Sequence, residues 1–190
     1  MRLPITLIAL LAFAAAQPGN AQPASTTAPA ADDGPYSCLF ADLTGERRAL
    51  ASPAASTRLT DMPEGVDQQS EAALDAILAR IAGCGDAGGW TAGQRGMAEH
   101  YVHAQLAREY FRRHYAAQRV DLGLLDEAAA IPPGNPMPEF DALVARLRAQ
   151  GVADDRPDSA GDIAYLYLSL ARHAEEMKAG FAVPGLASPN

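Results

Sequence analysis

The longest helical pattern in the chain runs from Trp90 to Arg119, WTAGQRGMAEHYVHAQLAREYFRRHYAAQR. At 100° per residue, its apolar side chains gather on one broad face, and its charged and amide side chains gather on the opposite face. The apolar face comprises Met97, Ala104, Leu106, Ala107, Tyr110, Phe111 and Tyr115, and the polar face comprises Arg95, Gln105, Glu109 and Arg113. Thr91 is placed to cap the helix, after a flexible glycine-rich stretch at residues 85–89. The pattern predicts a long helix that buries one face in a core.

Three shorter helical patterns follow on the C-terminal side. The first covers residues 121–130 and ends at residues 131–138, IPPGNPMP, whose prolines predict a turn-rich loop. The second begins at Pro138 and ends before Gly151, and the third begins at Asp158 or Ser159 and ends at Gly180. Apolar residues recur at helical spacing in both: Phe140, Leu143, Val144 and Leu147 in the second, and Ile163, Leu166, Tyr167, Leu170, Ala174 and Met177 in the third.

A further helix is predicted on the N-terminal side. Asp61, Pro63 and Glu64 form a helix-start signal, and Gly83 is expected to end the helix. Its apolar positions are Val66, Ala73, Leu74, Ile77, Leu78 and Ile81. A short helix can also form near residues 46–51. Because no run of alternating β-branched and polar residues accompanies a hairpin signal, the sequence predicts an all-α fold, a single small bundle of about five helices around one core.

The first residues of the chain are typical of a secretory signal peptide. Arg2 precedes the apolar run Leu3–Ala16, which only Thr6 interrupts, and a polar stretch follows. This run is shorter than the about 20 residues that a membrane-spanning helix needs. We therefore expect a signal peptide at residues 1–21, with cleavage after Ala16 as the alternative. The mature protein is then exported, to the periplasm or the medium, and carries no transmembrane segment.

The mature chain divides into three parts. Residues 22–35 are rich in Pro, Ala, Thr and Ser, and they lack the large apolar side chains whose burial would offset the entropy of ordering. We expect them to form a disordered spacer. Residues 36–180 have the size of one helical domain, and residues 181–190 are expected to form a flexible tail.

The chain holds two cysteines, Cys38 and Cys84. In an exported protein this even count predicts one disulfide bond, which contributes about 4 kcal/mol in the chain-entropy model. No Cys-x-x-Cys motif is present, so a structural bond is favoured over a redox-active one. The bond would tie the N-terminal segment of the domain to the end of the helix predicted before Gly83.

Histidines on two predicted helices suggest a metal site. His100 and His103 are three residues apart and therefore neighbours on one helix surface, with Met97 one step earlier. If the last helix packs against this one, His173 or Glu176 could complete a shell for zinc, or for copper with Met97 as a soft ligand. His114 is too far along the helix to join. The alternative is that these histidines are core or boundary residues that bond to tyrosines.

An arginine-rich stripe follows the same long helix. Arg108, Arg112, Tyr115 and Arg119 recur at i, i+4, i+7 and i+11. Guanidinium groups suit carboxylates and phosphates, so the stripe could dock an anionic group of a partner. The alternative is internal neutralisation by acidic neighbours such as Asp121, Asp126 and Glu127.

The sequence excludes some functions and specifies no reaction. A formal net charge of −8 disfavours nucleic acid and anionic lipid as partners through bulk charge. The motifs of serine hydrolases, phosphate-binding loops and haem attachment are missing. We expect a non-enzymatic interaction or accessory protein of the cell envelope that binds a protein partner and needs no cofactor. The alternatives are a periplasmic protein that binds Zn or Cu through helix-borne histidines and, third, an enzyme with an unrecognised acid and histidine site.

Overall fold

A computed structural model of the chain describes residues 34–57, 66–130, 136–152 and 159–182, with the side chains of 136–139 left aside. Within these ranges the secondary structure is helical and no strand is present, which confirms the predicted all-α fold. The predicted signal peptide, all but the last two residues of the spacer, and the chain after Ala182 lie outside the described residues.

The described residues form a 3-10 turn and eight helices. A 3-10 turn, Gly34–Tyr36, precedes α1 (Ser37–Phe40), α2 (Gly45–Thr57), α3 (Gln68–Leu78), α4 (Arg80–Gly88), α5 (Ala92–Ala117), α6 (Leu122–Ala129), α7 (Pro136–Ala149) and α8 (Ala160–Phe181). The long helix α5 packs against α2 and α8, and α7 and α6 pack against α8. The helical patterns predicted after residue 90 each correspond to one helix, the pattern that ends at Gly83 is divided between α3 and α4, and α2 extends beyond the short helix expected near residues 46–51.

Side-chain caps define the starts of the long helices. Thr91 accepts a hydrogen bond from the Gln94 backbone N–H at 3.2 Å, and the Gln94 side chain accepts one from the Thr91 N–H at 2.9 Å. Ser159 and Asp162 form the same capping box at the start of α8. Both predicted caps are confirmed. They satisfy backbone donors that the first turn of a helix leaves without partners.

The helix predicted from Asp61 to Gly83 is the largest correction to the expected elements. The described start lies at Asp67, whose side chain caps α3 together with Ser70; residues 61–64 lie outside the described residues. Helix α4 then begins at Arg80, continues through Gly83 and ends at Gly88, and Gly89 just after it adopts a left-handed φ of 64°. A glycine inside a helix costs only about 1 kcal/mol, whereas a left-handed terminus favours glycine strongly. The stretch 85–89 is therefore largely helical and not a flexible hinge.

Two boundaries on the C-terminal side also differ from expectation. Helix α7 begins at Pro136 and includes Pro138, because proline is tolerated in the first turn, where the backbone N–H has no helical partner. Helix α8 ends at Phe181, one residue beyond Gly180. Phe181 does not belong to a loose tail, since its ring packs edge-on against Tyr36 at 4.9 Å and Trp90 at 5.1 Å.

The core consists of two hydrophobic clusters that meet along α5. The N-terminal cluster is formed mainly by α1 to α5 and includes Tyr36, Leu39, Leu74, Ile77 and Tyr101. The C-terminal cluster joins α5 to α6, α7 and α8 and includes Phe111, Tyr115, Leu125, Leu147 and Tyr167. The Tyr36 hydroxyl donates a 2.9 Å hydrogen bond to the Met177 carbonyl. This bond connects the first described residues of the domain to α8.

Cys38 of α1 and Cys84 of α4 lie at disulfide-bonding distance, with Cα atoms 6.1 Å apart. This spacing is within the usual range for a disulfide bond. The pairing closes a sequence separation of 46 residues and links α1 to the helix that follows α3. None of the helices in the described ranges combines the length and the apolar character that crossing a bilayer requires.

Candidate functional site

The arginine-rich stripe predicted on α5 does not form a single surface. Tyr115 is only 1% exposed and stacks on Phe111 inside the C-terminal cluster. Arg119 lies beyond the end of α5, exposed, with a φ of 64°. Arg108 and Arg112 turn toward α6 and α8. The stripe is divided because α6 and α8 pack along it, so Tyr115 is a core residue rather than a docking residue.

Arg108 and Arg112 form a compact polar cluster with Asp126 and Tyr167. The Tyr167 hydroxyl donates a 2.7 Å hydrogen bond to Asp126 Oδ1, and Arg112 Nη1 donates to the same oxygen. Arg108 Nε and Arg112 Nη1 donate to the Tyr167 hydroxyl oxygen at 3.2 and 3.1 Å. One carboxylate oxygen thus joins α5, α6 and α8.

The electrostatics of this cluster favour fixed charges over proton transfer. Partial burial would raise the pKa of Asp126, but the hydrogen bonds from Arg112 and Tyr167 and the positive charges of both arginines outweigh it and hold this pKa below its ordinary value. Burial raises the pKa of the Tyr167 hydroxyl above its ordinary value. At neutral pH the carboxylate is charged and the phenol is neutral. The arrangement is internal neutralisation, the alternative considered for the stripe.

The predicted metal ligands are only partly brought together. His100 on α5 and His173 on α8 face each other, with ring centroids 5.6 Å apart and ring planes at 86°. His103 is a core residue with 5% exposure. His114 stacks on Tyr110, and its Nε2 lies 2.9 Å from the Gln118 amide nitrogen.

The remaining predicted ligands lie on either side of this pair. The Met97 sulfur is 3.1 Å from the position that a Cβ atom on Gly180 would occupy, two turns of α8 beyond His173. Glu176 is exposed and borders the same groove as His173. Among the described residues, no group of three or more His, Cys, Asp or Glu side chains is placed to hold a metal ion. The complete predicted ligand set is therefore not assembled.

A shallow groove of about 450 Å³ runs along the outer face of α8. It is lined by Tyr165, Leu166, Ser169, Leu170, Arg172, His173 and Glu176. Tyr165 is 69% exposed, although most aromatic side chains of this helix and of α5 are buried. The Ser169 hydroxyl donates to the Tyr165 carbonyl at 2.6 Å, so this polar group is satisfied within the helix.

A second groove, of about 630 Å³, lies between α2 and α3 and is named here the α2–α3 groove. Its lining residues are Leu43, Arg47, Leu50, Gln69, Ala72, Ala73, Ala76, Ile77 and Arg80. Leu50 is 42% exposed. Leu50 and Tyr165 are the exposed large hydrophobic side chains in the described part of the chain, and each borders one of the two grooves.

The charged side chains that line the described part of the α2–α3 groove are two arginines, Arg47 and Arg80. Arg47 is exposed, and Arg80 is half-buried and donates from Nη2 to the Cys38 carbonyl at 3.0 Å. Neither arginine forms an ion pair with a described acidic residue, whereas Arg48, next to Arg47, pairs with Glu109. Among the residues that the structure describes, no acidic side chain lines the groove. Two guanidinium groups therefore face an apolar channel.

Sequence reasoning missed the α2–α3 groove. Ala72 and Ala76 lie four residues apart on the exposed side of α3, and alanine there signals only good helix propensity. Leu50 is a possible core contact by sequence, together with Leu39, Phe40 and Leu43, but in the structure it is 42% exposed and borders the groove. The groove forms because α2 and α3 lie a certain distance apart. The helical periodicity of a sequence gives no information about that distance.

Comparisons with protein-family models, with curated proteins and with solved structures found no match.

Proposed function

We propose that the chain is an exported, non-enzymatic binding protein of the cell envelope, and that its α2–α3 groove takes up an acidic, amphipathic segment of a partner protein. The observation that carries the proposal is an apolar lining that holds Arg47 and Arg80 and, among the described residues, no acid. In a chain with a formal net charge of −8, such a groove is the complement of an acidic partner. The disulfide-distance pair Cys38 and Cys84 is compatible with an oxidising compartment.

The shape of the groove favours a peptide over a membrane. An amphipathic helix places apolar side chains at i, i+4 and i+7 into a groove and keeps its charged side chains at the rim. A concave channel of about 630 Å³ accepts protruding side chains of this kind. A flat lipid surface would instead require apolar side chains that project from the protein.

The two arginines have different roles in the proposed contact. The Cys38 carbonyl holds Arg80, so its guanidinium is positioned before the partner arrives and loses little entropy on binding. Arg47 is exposed and can adjust to a carboxylate at the rim. Leu50, at 42% exposure, supplies apolar surface that binding would bury.

The proposal is tested with a designed peptide as the probe. A fluorescein-labelled helix-forming peptide carries leucines at i, i+4 and i+7 and glutamates at the flanking positions, and its binding to the oxidised chain is followed by fluorescence anisotropy. We expect Arg47→Glu and Leu50→Asp each to weaken binding about tenfold, which corresponds to about 1.4 kcal/mol. Arg146→Glu is the matched control, because Arg146 is an exposed arginine on α7 that borders neither groove.

Charge specificity separates this proposal from simple apolar adhesion. A peptide with lysines in place of the glutamates should bind far more weakly, and added salt should weaken binding of the acidic peptide. Equal binding of both peptides, or equal effects of Arg47→Glu and Arg146→Glu, contradicts the proposed groove. A third outcome would contradict the choice of a protein partner. In it, the chain binds vesicles of anionic lipid but not the peptide, and Leu50→Asp abolishes the vesicle binding.

A further inference from the structure

His100 and His173 form a contact between the two longest helices, α5 and α8, which pack against each other. One ring comes from the exposed side of α5 and the other from the flank of α8, with centroids 5.6 Å apart. We propose that these two histidines bind a zinc ion, or a divalent ion of similar chemistry, which bridges α5 and α8. The proposal does not depend on the function proposed for the α2–α3 groove.

The distance between the rings fits a shared ion. Two imidazoles that bind one tetrahedral zinc at about 2.0–2.1 Å per nitrogen have ring centroids roughly 5 Å apart. The observed separation of 5.6 Å is close to this value. The 86° angle between the ring planes is no obstacle, because an imidazole can rotate about its bond to the metal. Binding of one ion would require side-chain rotations that bring one nitrogen of each ring to a common point.

A buried nitrogen without a partner supports the same position. Nε2 of His173 is buried and forms no hydrogen bond with a described residue. Buried polar atoms in native proteins nearly always have a partner, so such an atom requires an explanation. A metal ion held between His173 and His100 would use this lone pair, since neutral imidazole nitrogen is a preferred zinc ligand.

Glu176 is the expected third ligand. It lies one turn after His173 on α8, is exposed, and borders the same groove. A carboxylate is an acceptable zinc ligand after a change of rotamer, and water would complete the shell. Met97 lies against Gly180 and His103 lies in the core, so neither is included. Without the methionine sulfur, a nitrogen and oxygen ligand set suits zinc better than Cu(I). Arg172 lines the same groove, and its charge is expected to weaken the site relative to sites with three or four fixed ligands.

Thermal unfolding of the oxidised chain tests the site. An ion that binds only the folded state raises Tm, and zinc chloride in large excess over its Kd should raise it by about 5 °C, whereas magnesium chloride should not. His100→Ala, at an exposed position, should abolish the zinc shift, and Glu176→Gln should reduce it. His114→Ala is the matched control on the same helix and should keep the full shift.

A second measurement gives the zinc stoichiometry, and its wild-type result does not depend on whether a histidine variant folds. Equilibrium dialysis against zinc chloride should give one ion per chain for the wild type, one for His114→Ala and none for His100→Ala or His173→Gln. A wild-type chain that neither binds zinc nor gains thermal stability would overturn the proposal, and so would retention of zinc by the His100→Ala chain. The peptide-binding assay is expected to be unaffected by zinc, so failure of one proposal leaves the other standing.

Discussion

The Tyr167 hydroxyl donates a 2.7 Å hydrogen bond to Asp126 Oδ1 and thereby joins α8 to α6 through the same carboxylate that Arg108 and Arg112 bind. Tyr167 itself is fully buried. The Tyr167 hydroxyl donates one hydrogen bond and accepts two. Its removal would therefore leave Arg108 and Arg112 with fewer hydrogen-bond partners.

Tyr167→Phe is therefore expected to destabilise the fold by about 1–2 kcal/mol. The variant loses a buried hydroxyl, and the side chains that bonded to it lose those hydrogen bonds. Urea unfolding followed by circular dichroism gives the change in free energy. Tyr165→Phe is the matched control on the same helix, since Tyr165 is 69% exposed and its loss should cost less than about 0.5 kcal/mol. Equal effects of the two variants would show that the cluster does not stabilise the fold.

The lowered pKa of Asp126 predicts a pH-dependent contribution to stability. A carboxylate whose pKa is lower in the folded state stabilises the fold above its unfolded pKa, and this contribution is lost as the pH falls through the folded value. The free-energy gap between wild type and Asp126→Asn should be constant above about pH 5 and shrink below about pH 4. The gap is modest, because solvent screens a side chain that is 35% exposed. Urea titrations across this range measure it, and a gap that widens toward acid would contradict the assignment.

Reduction of the Cys38–Cys84 pair is expected to lower stability by up to about 4 kcal/mol, since the bond restricts the unfolded chain. Unfolding with and without dithiothreitol measures the effect, and the Cys38→Ser/Cys84→Ser double variant should behave like the reduced wild type. If dithiothreitol lowers the stability of the double variant as well, the change does not come from this bond.

Phe181→Ala is expected to destabilise the domain by about 2 kcal/mol, because its half-buried ring packs against Tyr36 and Trp90. Trp90 is the single tryptophan, so its fluorescence reports the site directly and should shift to longer wavelength as the indole becomes more exposed. Phe181→Leu should retain most of the stability. An unchanged spectrum in Phe181→Ala would support the expectation that the flexible tail begins at this residue.

The features that the sequence predicted correctly depend on near neighbours in the chain. Thr91 caps α5 through Gln94, and Ser159 caps α8 through Asp162, and each pair is only three residues apart. Gly83 was misassigned because a helix tolerates an interior glycine at small cost when the surrounding turns are held by packing.

The features that sequence reasoning could not supply are set by contacts between distant segments. From the sequence, Arg112 could bind either a partner protein or an acidic residue of the chain itself. In the structure it bonds to Asp126 and Tyr167, which are 14 and 55 residues away. In the same way, helical periodicity placed His100 and His173 on compatible faces, but only the packing of α5 against α8 sets the distance between their rings.

The linkage of Cys38 to Cys84 has a mechanical consequence. Cys38 lies four residues after Gly34, so force applied to the chain at Gly34 would be transmitted through the Cys38–Cys84 bond to α4. Helices α1 and α2 would then not unfold from the domain one after the other. A tether attached at this end would therefore load the middle of the N-terminal cluster as one unit, and the α2–α3 groove would keep its shape under tension.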